Sequence, residues 1–310
     1  MFYSPLRYPG RKNKLSAFIA KICMDNNIHS HYVEPYAGGA SVALFLLIEG
    51  YVGKITINDK DRSIYAFWYS VKNNSKKLCK LIDECELTID NWFKQKEIQK
   101  NKDNVDLLTL GFSTLFLNRT NRSGILSGGV IGGLKQEGNY KMDCRFNKTE
   151  IKNRINLIAK YSDNFEIFNN DAIELIDRIQ IESETSDTIF YFDPPYYLKG
   201  DQLYMNHYLH AHHKVVSDKI KEIKNIHWLV SYDDNENIEK LYCEFQTKKY
   251  SFHHSAGTSK SGKEIMFFSN NLKQPNVESY NPINFKIITS RNKKEIVYQQ
   301  KKASKEISKY

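Results

Sequence analysis

Thr188-Ile189-Phe190-Tyr191-Phe192-Asp193-Pro194-Pro195-Tyr196-Tyr197 is an apolar run that ends in an acid, two prolines and two tyrosines. Residues 188 to 192 are aromatic and β-branched, the pattern of a short buried strand. Pro194 and Pro195 end it, because neither has an N–H for a ladder. Asp193 and Tyr196 are therefore held at a strand end on a stiff turn. In open α/β sheets that is where ligands bind. By average composition an Asp-Pro-Pro-Tyr run arises by chance in roughly one chain of this size in a thousand. The bland alternative is a proline-stiffened strand exit with no ligand.

These four residues suit an exocyclic amine on a flat heteroaromatic ring. Such an amine is a poor nucleophile, because its lone pair is delocalised into the ring. A carboxylate (Asp193) and a backbone carbonyl (Pro194, fixed by proline's locked φ) can each accept one N–H. Together they favour the pyramidal nitrogen that develops during transfer. Tyr196 offers a face for stacking and can sit near a cationic donor. The arrangement points to direct alkyl transfer, with neither a metal nor a covalent enzyme intermediate.

Upstream, His31 to Ser41 reads as a strand and a glycine turn, followed by an apolar helix from Val42 to Ile48. Gly38 and Gly39 let backbone approach a ligand, and the helix N-terminus presents free N–H groups. No Gly-Lys-Ser/Thr follows, so this is not a Walker loop. Lys54 to Asp59 is a second strand ending in an acid, at the spacing where a carboxylate takes a ribose diol. A helix is expected from Arg62 to about Lys72. Residues 75 to 150 break the alternation: a charged helix from Leu78 to Ile98, an apolar helix from Leu107 to Leu117, then Asn118 to Ile125 and a glycine-rich loop from Gly128 to Gly138. Arg, Asn and Ser side chains there suit phosphates and base edges. A surface loop with no partner is the alternative.

The alternation resumes with a helix over 149–161 and a strand over 165–168 that ends near Asp171. A helix over 172–179, a mostly helical stretch over 207–223 and a strand over 227–232 follow. A helix over 237–243 precedes a closing hairpin of 250–254 and 264–269. This order implies an α/β fold: a Rossmann-like, mostly parallel sheet with helices on both faces, plus an inserted mainly helical region. The expected division is a catalytic unit of residues 1–72 and 150–270, an insertion at 73–149 and a basic tail at 271–310. Within the tail, Lys293 to Lys309 reads as a charged helix.

The chain has 310 residues, net charge +9 and pI about 9.0. Five basic residues and no acid lie between Met1 and Lys21, and the stretch from Asn271 to Tyr310 has nine Lys/Arg against three Glu. A polyanion partner fits this surplus, as does a plain solvated basic surface. No run approaches the roughly 18 apolar residues of a membrane span, and no signal peptide is visible. The five scattered cysteines suggest reduced thiols in a cytoplasm. His212-His213 and His253-His254 lack the ligand spacing of a metal site, so no metal is expected.

Taken together, these motifs resemble the S-adenosylmethionine-dependent N6-adenine DNA methyltransferases, in particular the Dam-like group. The resemblance covers residues 1 to about 270. It implies that Tyr8 and Lys12, in Arg7-Tyr8-Pro9-Gly10-Arg11-Lys12, lie at the cofactor. It further implies a cofactor loop of Glu34, Pro35, Tyr36, Ala37, Gly38 and Gly39, with Asp59 on the ribose and Asp171 with Ala172 at the adenine end. Asp193, Pro194, Pro195 and Tyr196 match the catalytic tetrapeptide, with Asp193 also beside the cofactor. The insertion matches the target-recognition region, and Asn118, Arg119, Asn121, Arg122 and Ser123 resemble a stretch that contacts double-stranded DNA. Arg11 stands where the family often has glycine, so it can alter the cofactor pocket or touch a phosphate. The implied activity is site-specific methyl transfer to a flipped-out adenine, and its role stays open between protection beside a cognate restriction endonuclease as genetic partner, a phage function and regulation. Two other readings stay open: methylation of RNA adenine, and a non-catalytic DNA-binding module on the same scaffold.

Overall fold

A computed structural model describes residues 3–8, 12–182, 187–197, 210–253, 261–290 and 293–299. Five parallel strands form most of one sheet: β1 (His31–Glu34), β2 (Lys54–Asn58), β3 (Phe165–Phe168), β4 (Thr188–Phe192) and β5 (His227–Asp233). The antiparallel hairpin of β6 (Gln246–His253) and β7 (Ser261–Phe268) completes it, giving the order β3-β2-β1-β4-β5-β7-β6. The chain leaves β1 towards β2 on one side, while β4 lies on the other. This reversal opens a crevice beyond the carboxyl ends of β1 and β4. The glycine turn after β1 and Asp193 after β4 flank it.

Both faces of the sheet are covered, as the sequence implies. On β4, Ile189 and Tyr191 join a core with α1 (Ser16–Asp25), α2 (Ser41–Ile48) and α3 (Arg62–Asn73). Phe190 and Phe192 point the other way, into a second core with α8 (Ala172–Glu182), α9 (His210–Lys221) and α10 (Glu236–Leu241). A strand buried on both faces cannot alternate apolar with polar, which is why the run reads as unbroken hydrophobicity.

The stretch read as one helix from Leu78 to Ile98 is two: α4 (Ser75–Glu84) and α5 (Ile89–Lys100). Cys85 is extended, and the Thr88 side chain caps α5 by accepting from Asn91 N. A helix end therefore sits inside a continuous charged pattern. α6 (Leu107–Thr120) is buried from Leu110 to Thr120 and packs along α3. α7 (Lys148–Ala159) covers α4. Apolar residues of the 73–149 region share one continuous core with the sheet.

The expected helix at Lys293 is corrected for its described part. β8 (Phe285–Ser290) and β9 (Lys293–Tyr298) form an antiparallel hairpin, with Ile287 opposite Ile296. The β-branched Ile296 and Val297 suit a pleated surface better than a helix. Residues 300–310 lie outside the described ones. The hairpin is anchored on α1: Phe18 lies 5.4 Å from Phe285 and 5.6 Å from Tyr280 by ring centroid.

Candidate functional site

Three loop ends meet on one side of the crevice, and Asn58 ties them together. Its buried amide donates to the carbonyls of Pro35 and Asn170 at 3.0 Å each and accepts from Asn170 N at 2.9 Å. Ala37 N donates to the Asn58 carbonyl. Gly38 has φ +46, and a Cβ built there would lie 2.4 Å from the Tyr8 ring. Only glycine allows that left-handed turn under an aromatic ring. Gly38 N donates to Asp59 Oδ2 at 3.0 Å, and Asp61 N donates to Asp59 Oδ1 at 2.9 Å. Burial first, then the Asp61 charge, raise the Asp59 carboxyl from 3.8 to about 7. Asp171 opens α8: its Oδ1 accepts from Ile173 N, its Oδ2 pairs with Lys60 at 2.9 Å, and Ala172 beside it is buried. Tyr8, Pro35, Ala37, Gly38, Gly39, Asp59, Asp171 and Ala172 are thus gathered at the strand ends. Tyr36 is half-buried there against the second core.

Glu34 is the inward-facing residue of the expected cofactor loop. It is 4% exposed and points inward, accepting from Tyr32 OH and from Ala43 N in the first turn of α2. Burial pushes its carboxyl from 4.5 up to about 8. It holds the glycine turn from behind.

Across the crevice, Asp193 belongs to a cluster the sequence did not reveal. Lys12 Nζ lies 2.9 Å from Asp193 Oδ1, 3.1 Å from Ser231 Oγ and 3.2 Å from each oxygen of Glu264. Ser231 Oγ also donates to Asp193 Oδ1 at 2.9 Å, backed by Tyr191 OH. Both contacts land on Oδ1, so Oδ2 keeps its acceptor capacity among the described residues. Burial alone lowers the Lys12 pKa, but Asp193 and Glu264 more than reverse that, so the ammonium persists. Burial raises the Asp193 carboxyl; Lys12 pulls it back and Glu264 pushes it up again. Pro194 and Pro195 are buried, and Tyr197 N donates to Asp233 Oδ1, fixing the turn to the end of β5. Tyr196 is 8% exposed, its hydroxyl donating to Glu264 and its ring 5.4 Å beneath Lys12 Nζ.

Register explains the missed members. Val230 pairs with Phe192, so Ser231 on β5 stands beside Asp193. Glu264 on β7 pairs with Asp233 and Tyr250. The available signal was one polar residue inside each apolar run: Ser231 in Leu229-Val230-Ser231-Tyr232, and Glu264 before Ile265-Met266-Phe267-Phe268.

The Asn118 to Ser123 stretch splits. Asn118, Arg119 and Asn121 are buried. Asn118 accepts from Arg7 N and donates to the carbonyls of Arg7 and Gly124. Arg119 donates to the carbonyls of Pro5 and Arg145. Asn121 accepts from Trp92 Nε1 and donates to the carbonyls of Ile125 and Leu126. These three side chains serve internal partners, because a buried helix end needs them. Arg122 and Ser123 are exposed; Arg11 lies outside the described residues. The glycine-rich loop is fastened from within, since the Gln136 amide bonds the Ile131 and Gly133 carbonyls and Met142 N. Among the described residues there is no metal-binding cluster and no helix long and apolar enough to cross a membrane.

A sequence model of the D12 class N6 adenine-specific DNA methyltransferases matches residues 8–255. A Type II methyltransferase of Methanocaldococcus jannaschii, M.MjaIII, is 27% identical over 209 residues, covering 62% of this chain and 68% of that protein. Among solved structures, a putative RNA methyltransferase of Pyrococcus horikoshii, PH1948, overlaps with TM-score 0.36 at 10% identity, over 85% of this chain and 84% of that one. The rRNA methyltransferase aviRa of Streptomyces viridochromogenes gives 0.35 at 8%, over 86% and 88%. Overlaps that loose do not bear on activity.

Proposed function

The chain belongs to the D12 class N6 adenine-specific DNA methyltransferase family, and from that premise we propose that it methylates N6 of an adenine flipped out of duplex DNA at a specific sequence. The observation that carries this reading is the division of the Asp193 carboxylate. Oδ1 is held by Lys12 and Ser231, which leaves Oδ2 for an incoming N–H. The Pro194 carbonyl takes the second hydrogen, and the Tyr196 side of the turn receives the base. Flipping is required because the amine is inaccessible inside a duplex. Positioning and local electrostatics then localise the nitrogen lone pair. Asp193 need not remove a proton first; the methylated amine can lose it to water.

The strand-end residues fit S-adenosylmethionine. The glycine turn packs directly under the Tyr8 ring, Asp59 suits a ribose diol, and Asp171 with Ala172 suits the adenine end. Pro35, Tyr36, Ala37, Gly38 and Gly39 form the wall. When bound, the cofactor supplies the methyl group as a sulfonium electrophile. In this reading residues 1–72 and 150–270 perform the chemistry, and 73–149 recognise the target. With Asn118, Arg119 and Asn121 internal, contact falls to Arg122, Ser123 and the glycine-rich loop. The Type II description belongs to the relative; extended here, it makes protection from a cognate endonuclease the proposed role.

The test is label transfer from S-adenosylmethionine to duplex DNA and to structured RNA. Asp193→Ala is expected to lose at least about 100-fold in transfer while still binding DNA. Full activity in that variant refutes the role, and preferential transfer to RNA refutes the substrate.

A further inference from the structure

We propose that Glu264 is the positioning residue of this site, holding Tyr196 and Lys12 so that Asp193 keeps one oxygen open to the target amine. The inference rests on the proposed methyl transfer. Glu264 lies nine residues past the end of the matched family segment, on the antiparallel strand β7. It is 2% exposed, so it acts through its neighbours. Three donors converge on it: Lys12 on both oxygens, Tyr196 OH on Oε1 and Tyr250 OH on Oε2.

Each contact has a consequence at Asp193. A tyrosine ring swings about its side-chain torsions unless its far end is held; Glu264 holds that of Tyr196, which sets the ring's orientation. An ammonium has three N–H donors. Those of Lys12 face Asp193 Oδ1, Ser231 Oγ and Glu264, so none is left over for Asp193 Oδ2. Without Glu264 the ammonium is free to chelate both Asp193 oxygens and exclude the amine. A role in stability alone explains this poorly. A second buried carboxylate near Asp193 opposes its ionisation, and uncharged residues fill such space at lower cost. The groups facing Asp193 are Lys12 from the N-terminal segment, Tyr191 from β4, Ser231 from β5 and Glu264 from β7, with Glu34 on β1 further off.

The experiment compares wild type, Glu264→Gln and Tyr196→Phe by label transfer to phage DNA across pH, with thermal melting at each pH. Glu264→Gln is expected to lower kcat by up to about 100-fold, with KM for DNA and cofactor within about threefold of wild type. Its acidic limb moves to lower pH, because the like charge that raises Asp193 is gone. Tyr196→Phe keeps the buried charge but loses the anchor: its kcat falls and its acidic limb stays in place. A folded Glu264→Gln protein with wild-type kcat and an unmoved limb overturns the proposal. If Glu264→Gln does not fold, wild-type kcat in Tyr196→Phe overturns it instead. Wild-type protein that transfers no methyl group to adenine overturns the proposed function and this inference with it.

Discussion

Two backbone amides, Gly38 N and Asp61 N, converge on the Asp59 carboxylate, yet its pKa rises to about 7 because burial and the Asp61 charge outweigh them. A carboxyl raised in the fold stabilises the protein fully below its unfolded value near 3.8. That contribution is lost as pH climbs through about 7. A ribose diol has the opposite demand, because two hydroxyl donors want an ionised acceptor. Affinity for S-adenosylmethionine is therefore expected to increase with pH, by up to about tenfold per unit below the folded pKa, and then level off. Asp59→Asn should flatten that slope in calorimetry. It should also remove part of the loss in melting temperature as pH climbs towards 7, to which Glu34, raised to about 8, and Asp193, also raised, contribute as well. An affinity that ignores pH in wild type removes Asp59 from the cofactor. Asp59 and Asp193 were legible in sequence because each ends an apolar strand. Glu264 was hidden, because strand order and register, not spacing, bring it to Lys12. The burial of Asn118 was hidden for a related reason: polar residues near glycine look like a surface loop until the fold shows which carbonyls they serve.

At the scale of elements, the contact between α3 and α6 turns on Gly111. A Cβ there would lie 2.5 Å from Ser70 Oγ and 2.6 Å from the Ala66 carbonyl oxygen. Helix propensity favours alanine over glycine by about 1 kcal/mol. Overpacking a close contact costs about 1–3 kcal/mol, and here one clashing partner is backbone. Gly111→Ala is therefore expected to destabilise the protein by about 1 kcal/mol or more, seen as a lower urea midpoint at unchanged m. A higher midpoint shows that the two helices part without strain. The doubly buried strands were legible because their apolar runs are short and punctuated. The division into α4 and α5 was not, since the charged pattern continues across Cys85 to Thr88 and only the Thr88 cap marks the break. The hairpin of β8 and β9 was missed because its lysines suggest a charged helix. The energy lies in Phe285 against Phe18 and in Ile287 opposite Ile296.

Over the whole molecule, formal charge overstates what is free to meet phosphate. Lys12 is committed to Asp193 and Glu264, Lys21 pairs with Asp25, and Arg7 is tied through its backbone to Asn118. Lys12 is thus internal wiring, and Lys21 is already paired. The unspent surplus lies later in the chain: Lys273 and Lys286 are exposed, and residues 300–310 add Lys301, Lys302, Lys305 and Lys309 against Glu306. Phosphate neutralisation makes log K fall with log salt at a slope of about −0.9 for each phosphate neutralised on duplex DNA. Deleting residues 300–310 leaves β9 intact, since that strand ends at Tyr298. The deletion is therefore expected to keep the melting temperature and to make the salt slope shallower by about 0.9 for every phosphate that the tail neutralises. Fluorescence anisotropy across a salt series measures this directly. An unchanged slope places the tail off the duplex and returns phosphate binding to Arg122 and the glycine-rich loop. A cut at 271 cannot decide the question, because it also strips Tyr280 and Phe285 from Phe18 and mixes loss of fold with loss of charge.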